Sequence, residues 1–281
     1  MVSTLAFVGL LVSVGCGERV DPQPSVESPQ AARATEALGH AKVFFAHQSV
    51  GENIVDGLAT LRTESGSQGL KLIDMRTAKD ASGGFFAHAK LGTNGDPKGK
   101  TDAFVSALEG GLGREVDIAF QKYCFADILA DTDVKELFEY YKQGMNRVHQ
   151  EFPDLRIVHV TAPLVHVQSG PRAVIKRLIG RIPDHYDENL TRGRFNALMR
   201  KEYQGREPLF DLAAIEASRP GQTPEPFQFR GSDIYELRPE YTTDGAHLNE
   251  AARTRVASEL VTFLSGILPA TGAPPAAAKD R

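Results

Sequence analysis

Apolar residues in this chain fall into short continuous runs, and between the runs they recur at helical spacing. Lys42 to Ala46 carries Val43, Phe44 and Phe45 with no polar position between them, which predicts a buried strand. The run breaks at His47-Gln48-Ser49-Val50-Gly51. Ile54, Val55, Leu58 and Leu61 then follow on one helical face between Glu52 and Leu61. Leu70 to Met75, Val116 to Phe120, Arg156 to Thr161 and Leu209 to Leu212 are further predicted strands. Phe104 to Leu108, Val134 to Gln150, Arg194 to Tyr203 and Glu250 to Leu264 are predicted helices, and Ser82 to Lys100 reads as a Gly-rich loop. Strands separated by helices imply parallel pairing through βαβ crossovers. Continuous rather than alternating apolar runs suit a sheet covered on both faces. The predicted fold class is therefore α/β, a three-layer α/β/α sandwich with a mainly parallel central sheet. Sites in such sheets lie beyond the carboxyl ends of the strands.

No internal repeat and no Pro/Gly/Ser-rich linker divides the middle of the 281 residues, so one domain over 39–267 is expected. The ends differ from it. Leu5 to Val12 is an apolar run shorter than the roughly 20 residues a spanning helix needs. Its length fits a signal peptide over 1–16. Ser13-Val14-Gly15-Cys16 resembles a bacterial lipoprotein cleavage site, which makes Cys16 the candidate lipidation site; a plain signal peptide is the alternative. Residues 17–38 read as a flexible linker and 268–281 as a disordered tail. The expectation is export, as a lipid-anchored or a secreted or periplasmic protein, with a lipid anchor as the route to any membrane.

Composition narrows the partners. A hydrophobic content of 41% supports a buried core. A net charge of −4 offers no electrostatic case for nucleic acid. Cys16 and Cys124 are the only cysteines, which excludes a disulfide framework, and Cys124 lies in an apolar stretch where a buried thiol is expected. His88, His159 and His166 are scattered, and no His-Glu-x-x-His or Cys-x-x-Cys spacing occurs, so neither a metal nor a cofactor is expected.

Two polar features fall on the side of the sheet where a site is expected. Ser49 stands in the turn between the first strand and the first helix. Unpaired amides of the helix's first turn there form a positive end suited to an oxyanion, and Gly51 permits a tight turn. A helix cap is the other reading of Ser49. Asp244-Gly245-Ala246-His247 precedes the last helix. A carboxylate three residues before a histidine can reach its Nδ1 and leave Nε2 as a base; a capping loop with an exposed histidine is the other reading. A serine hydroxyl needs such a base within reach to become a nucleophile.

With these residues the chain resembles the SGNH (GDSL-like) hydrolase superfamily from about Lys42 to Leu264. Phe195-Asn196-Ala197-Leu198 with Leu209-Phe210-Asp211-Leu212 resembles that family's penultimate helix and last strand. Val158-His159-Val160-Thr161-Ala162-Pro163 resembles its fourth strand. The resemblance implies an SGNH/flavodoxin-like sheet and a catalytic set of Ser49, Asp244 and His247. His47-Gln48 replaces the family's Gly-Asp before the serine, and Lys122-Tyr123-Cys124-Phe125-Ala126-Asp127 replaces its Gly-x-Asn-Asp turn. Ser49, Gly92 and Asn94 are the candidate oxyanion donors, with Gly95 an alternative glycine. His47, Lys122 and Tyr123 are candidate pocket residues, and Lys122, Tyr123 or Asp127 could stand in for the missing Asn; a structural role is the other reading of His47, and placement in the core that of Tyr123. The expected function is an exported esterase or acetylesterase acting through an acyl-serine on a small-molecule or glycan ester. Acyl transfer to a glycan hydroxyl and non-catalytic carbohydrate binding are the alternatives.

Overall fold

The computed structural model describes residues 29–64, 70–75 and 83–268. The expected signal segment with Cys16, residues 17–28 of the expected linker and residues 269–281 of the expected tail lie outside them. Helix α1 (Pro29–Leu38) leads into β1 (Lys42–His47), α2 (Ser49–Glu64), β2 (Leu72–Asp74), β3 (Phe85–Lys90), α3 (Pro97–Glu109) and β4 (Ile118–Gln121). Then come α4 (Val134–Glu151), β5 (Arg156–Val160), α5 (Gly170–Leu178), α6 (Tyr186–Tyr203), β6 (Leu209–Phe210) and α7 (Leu212–Glu216). A hairpin of β7 (Phe227–Phe229) and β8 (Ser232–Ile234) precedes the last helix, α8 (Glu250–Gly266).

Six strands pair in parallel in the order β2-β3-β1-β4-β5-β6. Without the edge strand β2 this is the order 2-1-3-4-5, whose ligand crevice opens between β1 and β4. Alternate residues of β1 serve opposite faces. Val43 and Phe45 join the apolar layer of Leu58, Val256 and Leu260, whereas Phe44 and Ala46 join that of Phe104, Tyr141 and Phe195. One helical layer thus contains α1, α2 and α8, and the other α3, α4 and α6. The fold is a three-layer α/β/α sandwich. Among the described residues, no helix is long and apolar enough to cross a membrane.

The structure departs from the sequence reading in several places. Residues 29–38 were expected in the linker but form α1, which buries Ala31, Ala34 and Leu38 in the α2 and α8 layer. Residues 85–90 were expected in a loop but form β3, inserted between β2 and β1. Helix α6 begins eight residues before Arg194, because Asn189, Thr191 and Arg192 are buried polar residues that hide its period. Leu212 belongs to α7 rather than to a strand, since Asp211 caps a helix there by accepting from the Ala214 amide.

The joint between α2 and α8 positions the site. A Cβ at Gly57 would lie 2.3 Å from the carbonyl oxygen of Arg253, so the two helices touch at backbone level. Arg253 adds an ion pair to Asp56 at 3.1 Å. One turn after Ser49, Asn53 accepts a hydrogen bond from the Leu248 amide at 3.1 Å. In an exposed helix, glycine to alanine would raise stability by up to about 1 kcal/mol. Gly57→Ala is expected instead to lower it by about 1–3 kcal/mol through overpacking, seen as a fall in the urea midpoint. A rise would show that the two helices do not touch there.

Candidate active site

Ser49 is the first residue of α2 at the carboxyl end of β1. The Gln48 carbonyl accepts from the Glu52 amide, so the amides of Ser49, Val50 and Gly51 have no acceptor within the helix. They leave the positive end of α2 beside the Ser49 hydroxyl. Gly51 leaves room for His47, whose Cβ would lie 2.2 Å from a Cβ at that position. The turn is held from the other side by Gln48, whose Nε2 donates to the carbonyls of Leu91 at 3.0 Å and Gly92 at 2.8 Å.

The Asp244–His247 turn reaches Ser49 from the other end of the chain. Gly245 takes φ +87°, a region that favours glycine, and this folds the turn back on itself. Asp244 Oδ1 accepts from the amides of Ala246 and His247, both at 2.8 Å. Asp244 Oδ2 accepts from His247 Nδ1 at 2.7 Å. With Nδ1 protonated, the neutral ring presents its Nε2 lone pair, and Ser49 Oγ lies 3.1 Å away. Partial desolvation of Asp244 works against its charge, but the two amides and the His247 ring hold its carboxyl well below the usual carboxylate range. The Phe125 ring meets His247 edge-on at 5.4 Å, and buried Arg192 holds Phe125 by donating to its carbonyl.

The site is open. The side chains of His247 and Asp244 are 37% and 54% exposed. Two surface hollows of about 420 and 320 Å³ lie elsewhere, one lined by Arg114, Asp117 and Phe152 and the other by Asn196, Arg200 and Tyr235. The His247–Asp244 side of the site is thus reached by solvent, with Ser49 half-buried behind it.

The remaining sequence candidates separate. Lys122 and Tyr123 were expected to line the pocket, but both are buried. Lys122 Nζ donates to the Tyr123 carbonyl, and the Tyr123 hydroxyl pairs with Thr101 Oγ1 at 2.7 Å. His47 is buried as well. Its Nδ1 donates to the Gln48 carbonyl at 3.0 Å, which leaves Nε2 to accept from His88 Nδ1 at 3.0 Å. It braces the serine turn rather than the substrate. Asp127 cannot replace an Asn donor, because an ionised carboxylate only accepts. It takes hydrogen bonds from Lys100 Nζ at 2.6 Å, the Cys124 amide at 2.6 Å and the Gly95 amide at 2.8 Å. The Asn94 side-chain oxygen is tied to Lys100 at 2.8 Å, and Gly92 directly follows the Gln48-clamped residue Leu91.

Cys124 is the residue that the sequence reading left outside the site. It follows β4 across the crevice, fully buried, with Sγ 3.8 Å from Ser49 Oγ. Only the pairing of β1 with β4 brings the two together. Among the described residues, no group of three or more His, Cys, Asp or Glu side chains is arranged to hold a metal ion.

No family model matches the sequence, and no curated protein matches it. Solved structures are similar to it over much of the chain. One from Streptococcus pneumonia, provisionally described as a platelet activating factor, is 17% identical and covers 85% of this chain and 92% of its own, with a TM-score of 0.45. The periplasmic domain of a lipopolysaccharide acetyltransferase from Salmonella ser. Paratyphi A is 10% identical and covers 85% of this chain and 87% of its own, with a TM-score of 0.43. A peptidoglycan O-acetylesterase is 11% identical and covers 66% of this chain and 47% of its own, with a TM-score of 0.39.

Burial pulls the His47 ring down to about 4; its bond to the Gln48 carbonyl opposes this and neighbouring His88 adds to it. The unfolded chain therefore takes up a proton at this residue that the folded protein refuses. Stability from this source is complete above about pH 6.5 and is lost as pH falls towards about 4. Unfolding curves at stepped pH are expected to show that slope in the wild type and a flatter one in His47→Gln. Equal slopes would remove His47 as its source.

Proposed function

We propose that this protein is a serine hydrolase that cleaves acyl esters through an acyl-serine intermediate. The observation that carries the reading is the hydrogen-bonded line from Asp244 Oδ2 through His247 to Ser49 Oγ, at 2.7 and 3.1 Å. The resemblance of its serine and Asp-x-x-His segments to the SGNH hydrolases supports the same reading.

Ser49 Oγ attacks the ester carbonyl while its proton passes to His247 Nε2. Asp244 holds the ring and stabilises the imidazolium. The carbonyl electrons move onto oxygen, and the free amides at the start of α2 receive that oxyanion, with the Gly92 amide as a second donor. Collapse expels the alcohol, which leaves with the proton from His247. Water then gives its proton to His247 and attacks the acyl-serine. Collapse of this second tetrahedral intermediate releases the acid and returns the proton to Ser49. The exposed site supports a substrate whose acyl group projects from a large polar molecule such as a glycan. The apolar run before Cys16 supports export.

A fluorophosphonate probe is expected to label the wild type at Ser49 and to leave Ser49→Ala unlabelled. On p-nitrophenyl acetate, Ser49→Ala and His247→Ala are expected to lower kcat by about 10⁴-fold or more, and Asp244→Asn by roughly 10⁴-fold. Unchanged turnover in Ser49→Ala would overturn the assignment. Acyl product on an added glycan in place of free acid would make the protein a transferase with the same machinery.

A further inference from the structure

Helix α5 is packed the wrong way round for a soluble protein. An amphipathic surface helix ordinarily turns its apolar stripe to the core. In α5 the buried residue is Ala173, whereas Val174, Ile175 and Leu178 are 51%, 57% and 80% exposed. Ile179 and Ile182 continue the stripe past the helix end. These five are most of the seven exposed large apolar residues among the described residues.

At about 100° per residue, Val174, Ile175 and Leu178 form one outward face, and Arg172 and Arg177 flank it on either side. Lys176 and Arg181 complete four basic residues between Gly170 and Pro183; Lys176 pairs with Asp184 and Arg177 lies over the Tyr186 ring and donates to its hydroxyl, while Arg172 and Arg181 are exposed. The whole chain carries −4, so this is a local reversal of sign. The segment is a closed excursion: the Gln168 amide donates to the Asp184 carbonyl at 3.1 Å, and Lys176 pairs with Asp184 at 2.6 Å. Its base stands beside the candidate active site, because the His166 amide donates at 2.8 Å to the carbonyl of Gly245 in the Asp244–His247 turn.

We propose that α5 is an interfacial anchor that docks on an anionic lipid bilayer and holds the mouth of the Ser49 site at the membrane surface. The apolar stripe enters the boundary between headgroups and acyl chains. The exposed cations Arg172 and Arg181 meet lipid phosphates. A protein partner would satisfy the stripe alone; the flanking cations on an acidic chain single out an anionic surface.

The chain contains no tryptophan, so Leu178→Trp places a single reporter on the stripe. In the full chain, its emission is expected to shift to the blue on adding phosphatidylcholine–phosphatidylglycerol vesicles, and much less with phosphatidylcholine alone. High salt should weaken the response, and Arg172→Gln or Arg181→Gln should each weaken binding about fivefold. Adding Ile175→Asp to the reporter should abolish the shift while p-nitrophenyl acetate hydrolysis is unchanged. Adding Ser49→Ala should leave the shift intact, which separates this proposal from the hydrolase reading. The readout is local, so attachment elsewhere in the chain does not produce it. No shift with anionic vesicles, or a concentration-dependent shift without vesicles that marks self-association, would overturn the proposal.

Discussion

The contact between the backbones of α2 and α8 at Gly57 is the constraint on which the site depends. Ser49 and His247 are 198 residues apart and meet at 3.1 Å because each lies at the start of one of these helices. Both helices present their amino ends to the same edge of the sheet. A slip of one helical turn would displace the pair by about 5.4 Å, beyond any hydrogen bond. Three local devices fix the register. Gly57 permits the close approach, Arg253 pairs with Asp56, and the Asn53 side chain accepts from the amide immediately after His247. Apolar packing alone would tolerate sliding; these directional contacts oppose it.

The same principle governs the loop after β5, which has no regular structure and is mostly buried. Buried amides need acceptors. Asn196 accepts from Ala162, Glu216 from Leu164, Asn189 from Val165, and Glu236 from Val167. Burial pushes the Glu216 carboxyl up to about 8, against the pull of the Leu164 amide, Lys122 and Arg192. The loop so fixed is the one that supports Gly245 through His166. Across the crevice, buried Lys100 and Asp127 do the same for the segment carrying Cys124. Removing one partner of such a buried pair typically costs about 3–5 kcal/mol, so the site's walls are held by polar contacts as firmly as its floor is by apolar ones.

This division explains what the sequence made legible. The three-layer class was readable because β1 and β4 hold continuous apolar runs and the strand-like segments alternate with helical ones. Ser49, Asp244 and His247 were readable as candidates because each sits in a local turn beside a helix start, and the structure brings them together. Strand β3 was not readable: Gly83 and Gly84 precede it and Gly92 and Gly95 follow it, so its six residues merged with their flanks into a loop. Helix α6 was cut short because its buried Asn189 and Arg192 serve partners distant in the chain. Lys122 was misplaced into a pocket, and Tyr123 was left between pocket and core, because a polar residue after a strand does not disclose whether its partner is substrate or core. Gly57, Asn53 and Cys124 carry no local signal, since each matters through a contact made across many residues.

The openness of the site and the inverted packing of α5 bear on one another. Electrostatic stabilisation of an oxyanion strengthens as water is excluded, yet the side chains of His247 and Asp244 are 37% and 54% exposed. The excursion that carries α5 rises from the residues bonded to Gly245, on the same rim. A lipid surface that took up the apolar stripe would bring this rim close to the membrane. The exposed apolar face of α5 would then be covered by the same docking event that brings the site to the membrane. Such a geometry favours esters presented at a membrane surface over esters free in solution. It also gives a physical reason for the outward stripe on α5: turned inward, it could not meet a membrane.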